Sequence, residues 1–192
     1  IYACGDVAGP YQFTHMSEYQ AGIVLRNALY HLPVTADASA VPWCTFSDPE
    51  LARVGMCESQ ARKQNIPHQV YRVSFGAIDR AQTSSETAGF VKVVTRPGGR
   101  LLGAAIVGPH AGELIHEYAL ALTKKMDITE LSRVIHIYPT LSQINRRVAD
   151  ERMKQKLTPT VKKLIRWIFG LRGPASTTSD EAHPNAAPIN RT

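Results

Sequence analysis

The sequence lacks the long hydrophobic run that a membrane-spanning helix requires. No window of its 192 residues approaches the 18 or more consecutive apolar residues that cross a bilayer. The opening IYACGDVAGP does not have the organisation of a signal peptide. Hydrophobic residues still make up 44% of the chain, which is enough for one packed domain with extensions on either side. The sequence therefore predicts a soluble, cytoplasmic protein.

Cysteine is scarce, and its spacing excludes the common metal and redox motifs. Cys4, Cys44 and Cys57 are odd in number and widely spaced, with no CxxC pair and no histidine at metal-ligand spacing. We expect reduced thiols that are buried as small hydrophobic residues. His110 and His116 also lack a second ligand at suitable spacing, so we expect surface or packing histidines and no metal site.

The net charge of +6 does not indicate nucleic-acid binding, because the basic residues are not interleaved with stacking aromatic residues. The excess is concentrated late in the chain: nine lysines and arginines lie between positions 146 and 172, against Asp150 and Glu151. A local role for this basic segment is the better interpretation.

Residues 151–172 are predicted to form a basic amphipathic helical extension. In TVKKLIRWIFGL one apolar stripe is formed by Val161, Leu164, Ile165 and Ile168, with Lys162, Lys163 and Arg166 off it. Two hypotheses stay open: residues 161–172 contact an anionic membrane surface or an acidic partner, or the helix packs on its own domain. Residues 173–192 carry few large apolar side chains, and we predict a disordered tail.

Residues 41–150 show alternating strand and helix patterns. VPWCTF and HQVYRVSF are typical of strands, ESQARKQN of a short helix, and GFVKVVT and LLGAAIVG of a hairpin around RPGGR. AGELIHEYALALTKKM and ITELSRV are typical of helices. Strands grouped before helices predict an α+β fold, an antiparallel sheet with helices packed on one face.

The opening IYACGDV indicates a short apolar strand that ends in Gly5 and Asp6. No earlier strand is present to pair with it, so we expect that an N-terminal portion is missing. Glycine allows close approach of the backbone to a ligand, and a carboxylate accepts hydrogen bonds from sugar hydroxyls; alternatively, Asp6 caps a turn. Phe13 and Thr14 precede a helix predicted to begin near Ser17, whose free amides favour negative charge.

The segment IHIYPTLSQ indicates a strand-like run that stops at Pro139 and leads into a helix. Proline keeps the preceding Tyr138 extended, and Thr140 with Gln143 matches a capping-box pattern. His136 would point to the same side as Tyr138 if the run is extended. Such a junction suits the presentation of a side chain to another molecule.

Three of these stretches together resemble the pyridine nucleotide-disulfide oxidoreductase family, which includes dihydrolipoamide dehydrogenase, glutathione reductase and mercuric reductase. IYACGDV is similar to its late flavin-binding motif, VPWCTFSDPELARVGMCE to the entry of its C-terminal dimerisation domain, and IHIYPTLSQ to its active-site segment. The resemblance covers roughly residues 1–148. It implies that residues 1–37 end an FAD-binding domain, that residues 41–150 form a homodimerisation domain, and that the parent enzyme uses FAD and NAD(P)H.

The resemblance also implies roles for individual residues. Gly5 and Asp6 would contact the ribityl chain of FAD, and the backbone near Phe13 and Thr14 would face the pyrimidine edge of the flavin. The sequence contains no GxGxxG fingerprint and no CxxxxC redox pair. We therefore expect a C-terminal piece that is inactive alone and lacks the N-terminal FAD and NAD(P) domains.

At the active-site segment the chain departs from the family pattern. The family's histidine before the proline and its glutamate four residues beyond form an acid-base dyad that reaches the other subunit; here these positions hold Tyr138 and Gln143. A phenol with a pKa near 10 beside an amide cannot shuttle protons at pH 7. Mercuric reductase is similar in carrying a tyrosine, but its C-terminal cysteine pair has no counterpart after Cys57. His136 either substitutes in part or packs.

Two functional hypotheses follow. The first is the dimerisation part of an FAD-dependent disulfide or metal-ion reductase, in which Tyr138 positions a substrate in the partner's active site. The second is a non-enzymatic assembly module that uses the same fold only to pair subunits. The resemblance also predicts a cis bond between Tyr138 and Pro139, since cis costs only about 0.5 to 1 kcal/mol at such a step.

Overall fold

The computed structural model describes residues 1–171 and divides the chain into two units. The first unit is Ile1–Gln155, and the second is Lys156–Thr192. The predicted disorder of residues 173–192 lies outside the described residues.

A five-stranded antiparallel sheet organises the first unit. Its strands are β1 (Pro42–Thr45), β2 (Glu50–Gly55), β3 (Gln69–Ser74), β4 (Phe90–Thr95) and β5 (Leu101–Gly108). They lie in the order β1-β2-β5-β4-β3, so the predicted β4–β5 hairpin is confirmed and occupies the inner part of the sheet. Valine recurs in β4, and burial alternates over its first four residues, which is the pattern that one covered face requires.

Helices pack against this sheet. The helices of the first unit are α1 (Thr14–Leu29), α2 (Glu58–Lys63), α3 (Asp79–Thr83), α4 (Ala111–Leu114), α5 (His116–Thr123) and α6 (Gln143–Lys156). Of these, α4 and α5 contact strands β2 and β5. Short 3₁₀ helices span Asp6–Ala8, Phe75–Ala77 and Ile128–Arg133. The α+β prediction is confirmed, although the helix predicted from AGELIHEYALALTKKM divides at Ile115 into α4 and α5.

The core lies between the sheet and these helices. Ile106, Val91 and Val93 from the sheet are fully buried, and they belong to the same apolar cluster as Tyr118 of α5 and Ile144 of α6. Burial of such side chains contributes roughly 1.5 to 3 kcal/mol each. This cluster fixes the positions of α5 and α6, from which the candidate site is built.

Two glycines allow the strands to approach closely. Gly55, at the end of β2, has φ +69, and a Cβ there would lie 2.5 Å from the carbonyl oxygen of Leu102. A Cβ on Gly103 would lie 2.5 Å from the backbone nitrogen of Met56. Val54 and Gly55 therefore belong to a strand that packs closely on its neighbour β5.

The N-terminal predictions need correction. Residues 1–5 form no strand, because the described sheet provides no neighbour for them; Asp6 instead begins a 3₁₀ turn. Helix α1 begins at Thr14 rather than near Ser17, since the amides of Met16 and Ser17 both donate to the carbonyl of Phe13. The amides that lack an acceptor within the helix are therefore those at the start of α1, beginning with Thr14.

The expected burial of the cysteines is also wrong in part. All three are free thiols, but Cys4 is exposed and Cys44 and Cys57 are only half-buried. Cys4 lies in the irregular opening segment, where no packed element covers it.

Arg152 is the buried exception in the basic segment. It lies on α6, is 7% exposed, and donates to Gln69 Oε1 and Tyr71 Oη at 2.9 Å and to the Pro97 carbonyl at 3.0 Å. This arginine ties α6 to β3 and to the hairpin turn, so it is part of the core of the first unit rather than of a basic surface.

The second unit contains the amphipathic helix α7 (Pro159–Phe169), whereas residues 151–156 of the predicted extension continue α6. The Thr158 hydroxyl accepts from the amide of Val161 at 3.3 Å, Pro159 occupies the first turn, and Gly170 ends the helix with φ +59. Among the helices of residues 1–171, none is both long and apolar enough to cross a membrane.

Candidate active site

A cavity of about 560 Å³ opens where the start of α1 meets β1 and α4. Aromatic rings form much of its wall: Phe13 stacks on His15 with centroids 5.0 Å apart and on Trp43 at 6.2 Å. The Arg53 guanidinium lies 4.4 Å from the centre of the Trp43 ring. An open cavity with flat apolar walls suits a planar aromatic ligand.

The N-terminus of α1 supplies the polar edge of this cavity. Thr14 and His15 carry the first amides of α1, which have no acceptor within the helix and favour negative charge. The His15 ring lies with Nε2 2.9 Å from the Pro42 carbonyl oxygen, which fixes α1 against β1. Helix geometry therefore brings Phe13 and Thr14 to the cavity wall.

Gly5 and Asp6 lie next to α1. The Gly5 amide donates to Gln20 Oε1 at 2.7 Å, and Gly5 has φ +80, a conformation that favours glycine. Asp6 is exposed at the first position of the 3₁₀ turn. The Gly5 amide is thus engaged within the chain, whereas the Asp6 carboxylate faces outward.

Glu50 is a site residue that sequence reasoning missed. Its Oε2 atom accepts from the Gly112 amide at 2.9 Å and lies 3.9 Å from Cys44 Sγ. Burial raises the pKa of the Cys44 thiol, and the Glu50 carboxylate raises it further. Cys44 is therefore held as a protonated thiol at the cavity wall and is a poor nucleophile.

A second group of candidate residues lies on the segment from Val134 to Ser142. The predicted strand is wrong here: the segment forms no strand, and His136 turns inward while its neighbours point outward. His136 has a side chain only 2% exposed, whereas Ile135 is 94% and Ile137 76% exposed. The segment therefore buries its polar residue and exposes its apolar ones.

His136 is held by two hydrogen-bond partners. Nδ1 lies 3.0 Å from the Val134 carbonyl oxygen, and Nε2 lies 3.2 Å from Glu117 Oε2 on α5. A buried histidine needs such partners to offset the loss of hydration. No sequence pattern indicates Glu117, because the two residues are brought together only by the fold.

Tyr138 points away from His136. Its ring is 65% exposed, and its hydroxyl donates to Asp79 Oδ2 at 3.0 Å. This hydrogen bond to the Asp79 carboxylate raises the pKa of Tyr138, which keeps the phenol protonated at neutral pH. The predicted cis bond between Tyr138 and Pro139 is confirmed, but the prediction that His136 and Tyr138 share one side is wrong.

Gln143 begins α6 and does not pair with Tyr138; within residues 1–171 the two side chains share no hydrogen bond. The predicted capping box is not formed, because the Thr140 hydroxyl donates to the Ile137 carbonyl at 2.6 Å. Thr140 thus closes the turn before α6 rather than capping the helix.

The two groups of residues meet at the start of α5. His116 lines the cavity, and the adjacent Glu117 holds His136. His110 and His116 are exposed, as expected for surface histidines. In the described part of the chain no cluster of histidine, cysteine, aspartate and glutamate could hold a metal ion.

Residues 41–148 match the family described as "Pyridine nucleotide-disulphide oxidoreductase, dimerisation domain". A dihydrolipoyl dehydrogenase of Chlamydia muridarum is 36% identical over 145 residues, which is 75% of this chain and 31% of that protein. The chain therefore spans less than a third of the length of this curated relative.

Solved structures show the same relationship. LpdA from Mycobacterium tuberculosis aligns with a TM-score of 0.73 and 28% identity over 78% of this chain and 33% of its own. The HOCl-induced flavoprotein disulfide reductase RclA from Escherichia coli aligns with a TM-score of 0.72 and 30% identity over 78% of this chain and 35% of its own.

Proposed function

Because this chain belongs to the pyridine nucleotide-disulphide oxidoreductase family and contains its dimerisation domain, we propose that it pairs two subunits of an FAD-dependent oxidoreductase. The homodimer forms through residues 41–150, and each copy presents Tyr138 to the active site of the other. The exposure of Ile135, Ile137 and Tyr138 around the buried His136 carries this proposal. Such an apolar patch on a well-packed domain is typical of a protein interface.

The residues around the large cavity fit the flavin of such an enzyme. Residues 1–37 are then the C-terminal end of the FAD-binding domain. The aromatic wall of Phe13 and Trp43 suits a flat ring, and the first amides of α1 at Thr14 suit the edge where negative charge collects on reduction. Bound FAD would supply the redox chemistry, taking a hydride from NAD(P)H and passing the electron pair to a disulfide, which becomes two thiols.

The exposed Asp6 carboxylate is the group of this chain that would bind the hydroxyls of a sugar alcohol. Gly5, with its positive φ, turns the backbone so that Asp6 stands free of α1. Exposed apolar residues on α1, Leu25 and Leu29, are consistent with further FAD- and NAD(P)-binding domains that cover this helix in the parent enzyme. Alone, the chain would be colourless and inactive.

Tyr138 acts in this proposal as a positioning group through its ring and hydroxyl oxygen, not as a base, since its hydroxyl proton is donated to Asp79. Its raised pKa keeps the proton on the phenol, and Gln143 supplies no carboxylate to accept one. The relatives are named dihydrolipoyl dehydrogenases, but this pair lacks the acid-base chemistry that the resemblance gives to a histidine and a glutamate. The substrate is then a disulfide or metal ion that needs no proton shuttle at this position.

His136 anchors the segment that carries Tyr138. Its bond to Glu117 fixes the segment to α5, so His136 is a positioning residue rather than a catalytic one. The three free thiols are consistent with a reducing, cytoplasmic location, which forms part of the same proposal.

The half-reactions of the full-length enzyme that carries this chain provide the test. Tyr138→Phe should lower turnover of the disulfide or metal substrate while flavin reduction by the nicotinamide stays nearly unchanged, because the phenol lies on the thiol side. Tyr30→Phe, which removes the hydroxyl of an exposed tyrosine outside the segment, is the matched control. Equal loss in both half-reactions would contradict the proposal.

The second candidate, a non-enzymatic assembly module, makes a different prediction. Coding sequence upstream of Ile1 with a GxGxxG fingerprint and a CxxxxC pair supports the enzyme, and upstream sequence without either supports the module. The match to the dimerisation domain favours neither, since both candidates need it.

A further inference from the structure

Helix α7 has two chemically distinct faces. At about 100° per residue, the apolar side chains spread over roughly 200° of the helix circumference. These side chains are Val161, Leu164, Ile165, Trp167, Ile168 and Phe169. Lys162, Lys163 and Arg166 span roughly 100° of the remaining arc of roughly 160°, and the helix contains no acidic residue.

The ends of α7 are defined by its own residues. Thr158 and Pro159 start it, and Gly170 stops it in a left-handed conformation. Its 11 residues correspond to a rod about 16 Å long. No residue of α7 is buried, and Leu164, Trp167 and Phe169 are each more than half exposed.

The breadth of the apolar face distinguishes α7 from a helix that packs in a protein groove. A helix that packs on one protein surface has an apolar stripe of at least about 100°, and the apolar face of α7 is roughly twice as wide as this minimum. On α7 the extra width comes from two aromatic residues, Trp167 and Phe169, which border the basic face on either side. Aromatic rings at such a border are suited to the boundary between acyl chains and headgroups.

We propose that α7 is a surface-binding site for an anionic lipid bilayer. The helix lies in the plane of the membrane, with Ile168 at the centre of the buried face and Lys162, Lys163 and Arg166 against the phosphates. Charge complementarity selects anionic lipid over neutral lipid, since no carboxylate on α7 offsets its cations. This role is independent of the dimerisation proposed for the first unit.

Co-sedimentation of the chain with vesicles tests the proposal. Binding to vesicles of phosphatidylcholine with phosphatidylglycerol should exceed binding to phosphatidylcholine alone by at least about fivefold per basic residue engaged. High salt should weaken it because the cations are exposed. The Trp167 fluorescence should shift to the blue on binding, and this shift should be absent from Trp167→Phe.

Matched variants distinguish a specific effect of the cations on α7 from a general effect of net charge. The triple variant Lys162→Gln, Lys163→Gln, Arg166→Gln should lose most binding, whereas Arg96→Gln, Lys124→Gln, Lys125→Gln lowers the net charge equally and should bind as the wild type does. Ile168→Gln should weaken binding, and Met153→Gln, which alters an exposed apolar side chain of α6, should not.

Three outcomes would overturn the proposal. They are equal binding to neutral and anionic vesicles, binding to neither, and equal effects of the two triple variants. If Ile168→Gln dissociates a protein assembly while lipid binding is absent, the apolar face contacts protein instead of membrane.

Discussion

The sheet and the segment from Val134 to Ser142 follow opposite burial rules. In β4, Val91 and Val93 point inward to the core, and Lys92 between them is only half-buried. In the segment, Ile135 and Ile137 point outward and His136 between them is buried. The sheet is held by a backbone ladder and apolar packing, whereas the segment is held by a few side-chain bonds.

The difference explains what each region can do. A polar residue can be buried without a large penalty only where a partner is supplied, and Glu117 on α5 supplies it for His136. The apolar residues displaced to the surface then become available to another subunit. In the proposed dimer, the bond between His136 and Glu117 anchors the segment, which presents its exposed residues and Tyr138 to the other subunit.

The largest effect should come from a change inside the sheet. Gly103→Ala would place a Cβ 2.5 Å from Met56 N and 2.8 Å from Val54 O. Because backbone must shift, we expect a loss of about 3 kcal/mol in the free energy of unfolding, at the upper end of the overpacking range. Urea denaturation measures this loss.

Gly22 is the matched control for this substitution. It lies within α1 with nothing within 4 Å of an added Cβ. Gly22→Ala should stabilise the chain by about 0.5 to 1 kcal/mol through helix propensity. Equal destabilisation by the two substitutions would show that close strand approach is not what limits residue size at Gly103.

A smaller effect is expected at the anchor of the segment. His136→Ala removes the buried ring and leaves the Val134 carbonyl and the Glu117 carboxylate without it, and we expect a loss of about 1 to 3 kcal/mol in the free energy of unfolding. His68→Ala is the control, because His68 Nδ1 lies 2.8 Å from the carbonyl of Ile66 in the same local arrangement without a carboxylate on another element.

Hydrogen exchange shows which residues of the His136→Ala variant lose stability. Faster exchange in residues 134–142 with an unchanged sheet is the expected result for His136→Ala. Uniform acceleration across the sheet would mean that His136 supports the core and not the segment.

The ion pair on the outer side of the sheet should have a modest, pH-dependent effect. A hydrogen bond from Lys92 to Glu58 lowers the pKa of Glu58. A carboxyl with a lowered folded-state pKa stabilises the protein above its unfolded pKa of about 4.3, and this contribution is lost as pH falls. Lys92→Met should therefore cost about 0.2 to 1 kcal/mol at pH 7 and less at pH 3, measured by urea denaturation at both.

Arg133→Met serves as its control, because the Arg133–Glu130 pair is more exposed. It should change stability less than Lys92→Met does at pH 7. A pH-independent loss for Lys92→Met would point to lost packing rather than to the charge.

The smallest effect on stability should come from Asp79→Asn. The substitution removes the carboxylate that raises the pKa of Tyr138, so this pKa should fall toward its ordinary value. The hydrogen bond to Asp79 requires a protonated phenol, so its contribution to stability is complete below the unfolded-state pKa of Tyr138 and is lost as the pH rises above the folded-state pKa. Any effect of the substitution on stability should therefore vanish at strongly alkaline pH. Absorbance titration measures the change, and Tyr138→Phe identifies its signal.

The regular parts of the fold could be predicted from the sequence, and the irregular ones only in part. Period-two patterns identified β3, β4 and β5, because a covered sheet face imposes that period. The same logic failed at Ile135 and Ile137, since the sequence does not indicate which apolar residues face a partner. Arg152 and Glu117 were missed because their partners lie far away in the chain.

The prediction for the opening residues was wrong for a related reason. IYACGDV has the composition of a strand, but a strand requires a neighbour, and the described sheet ends at β1 and β3. By contrast, the positions of Phe13 and Thr14 at the cavity wall followed from the resemblance even though the helix start was misplaced.

The central claim is that the segment from Val134 to Ser142 contributes to a dimer interface, and sedimentation equilibrium of the chain tests this claim most directly. We expect a species of twice the 21.1 kDa chain mass, and Ile137→Lys should shift it toward monomer by at least about tenfold in the dissociation constant, because a charge would be buried at the interface. Met153→Lys, at an exposed position of α6, should leave the dimer intact. A monomer at high micromolar concentration, or equal dimerisation of wild type and Ile137→Lys, would contradict it.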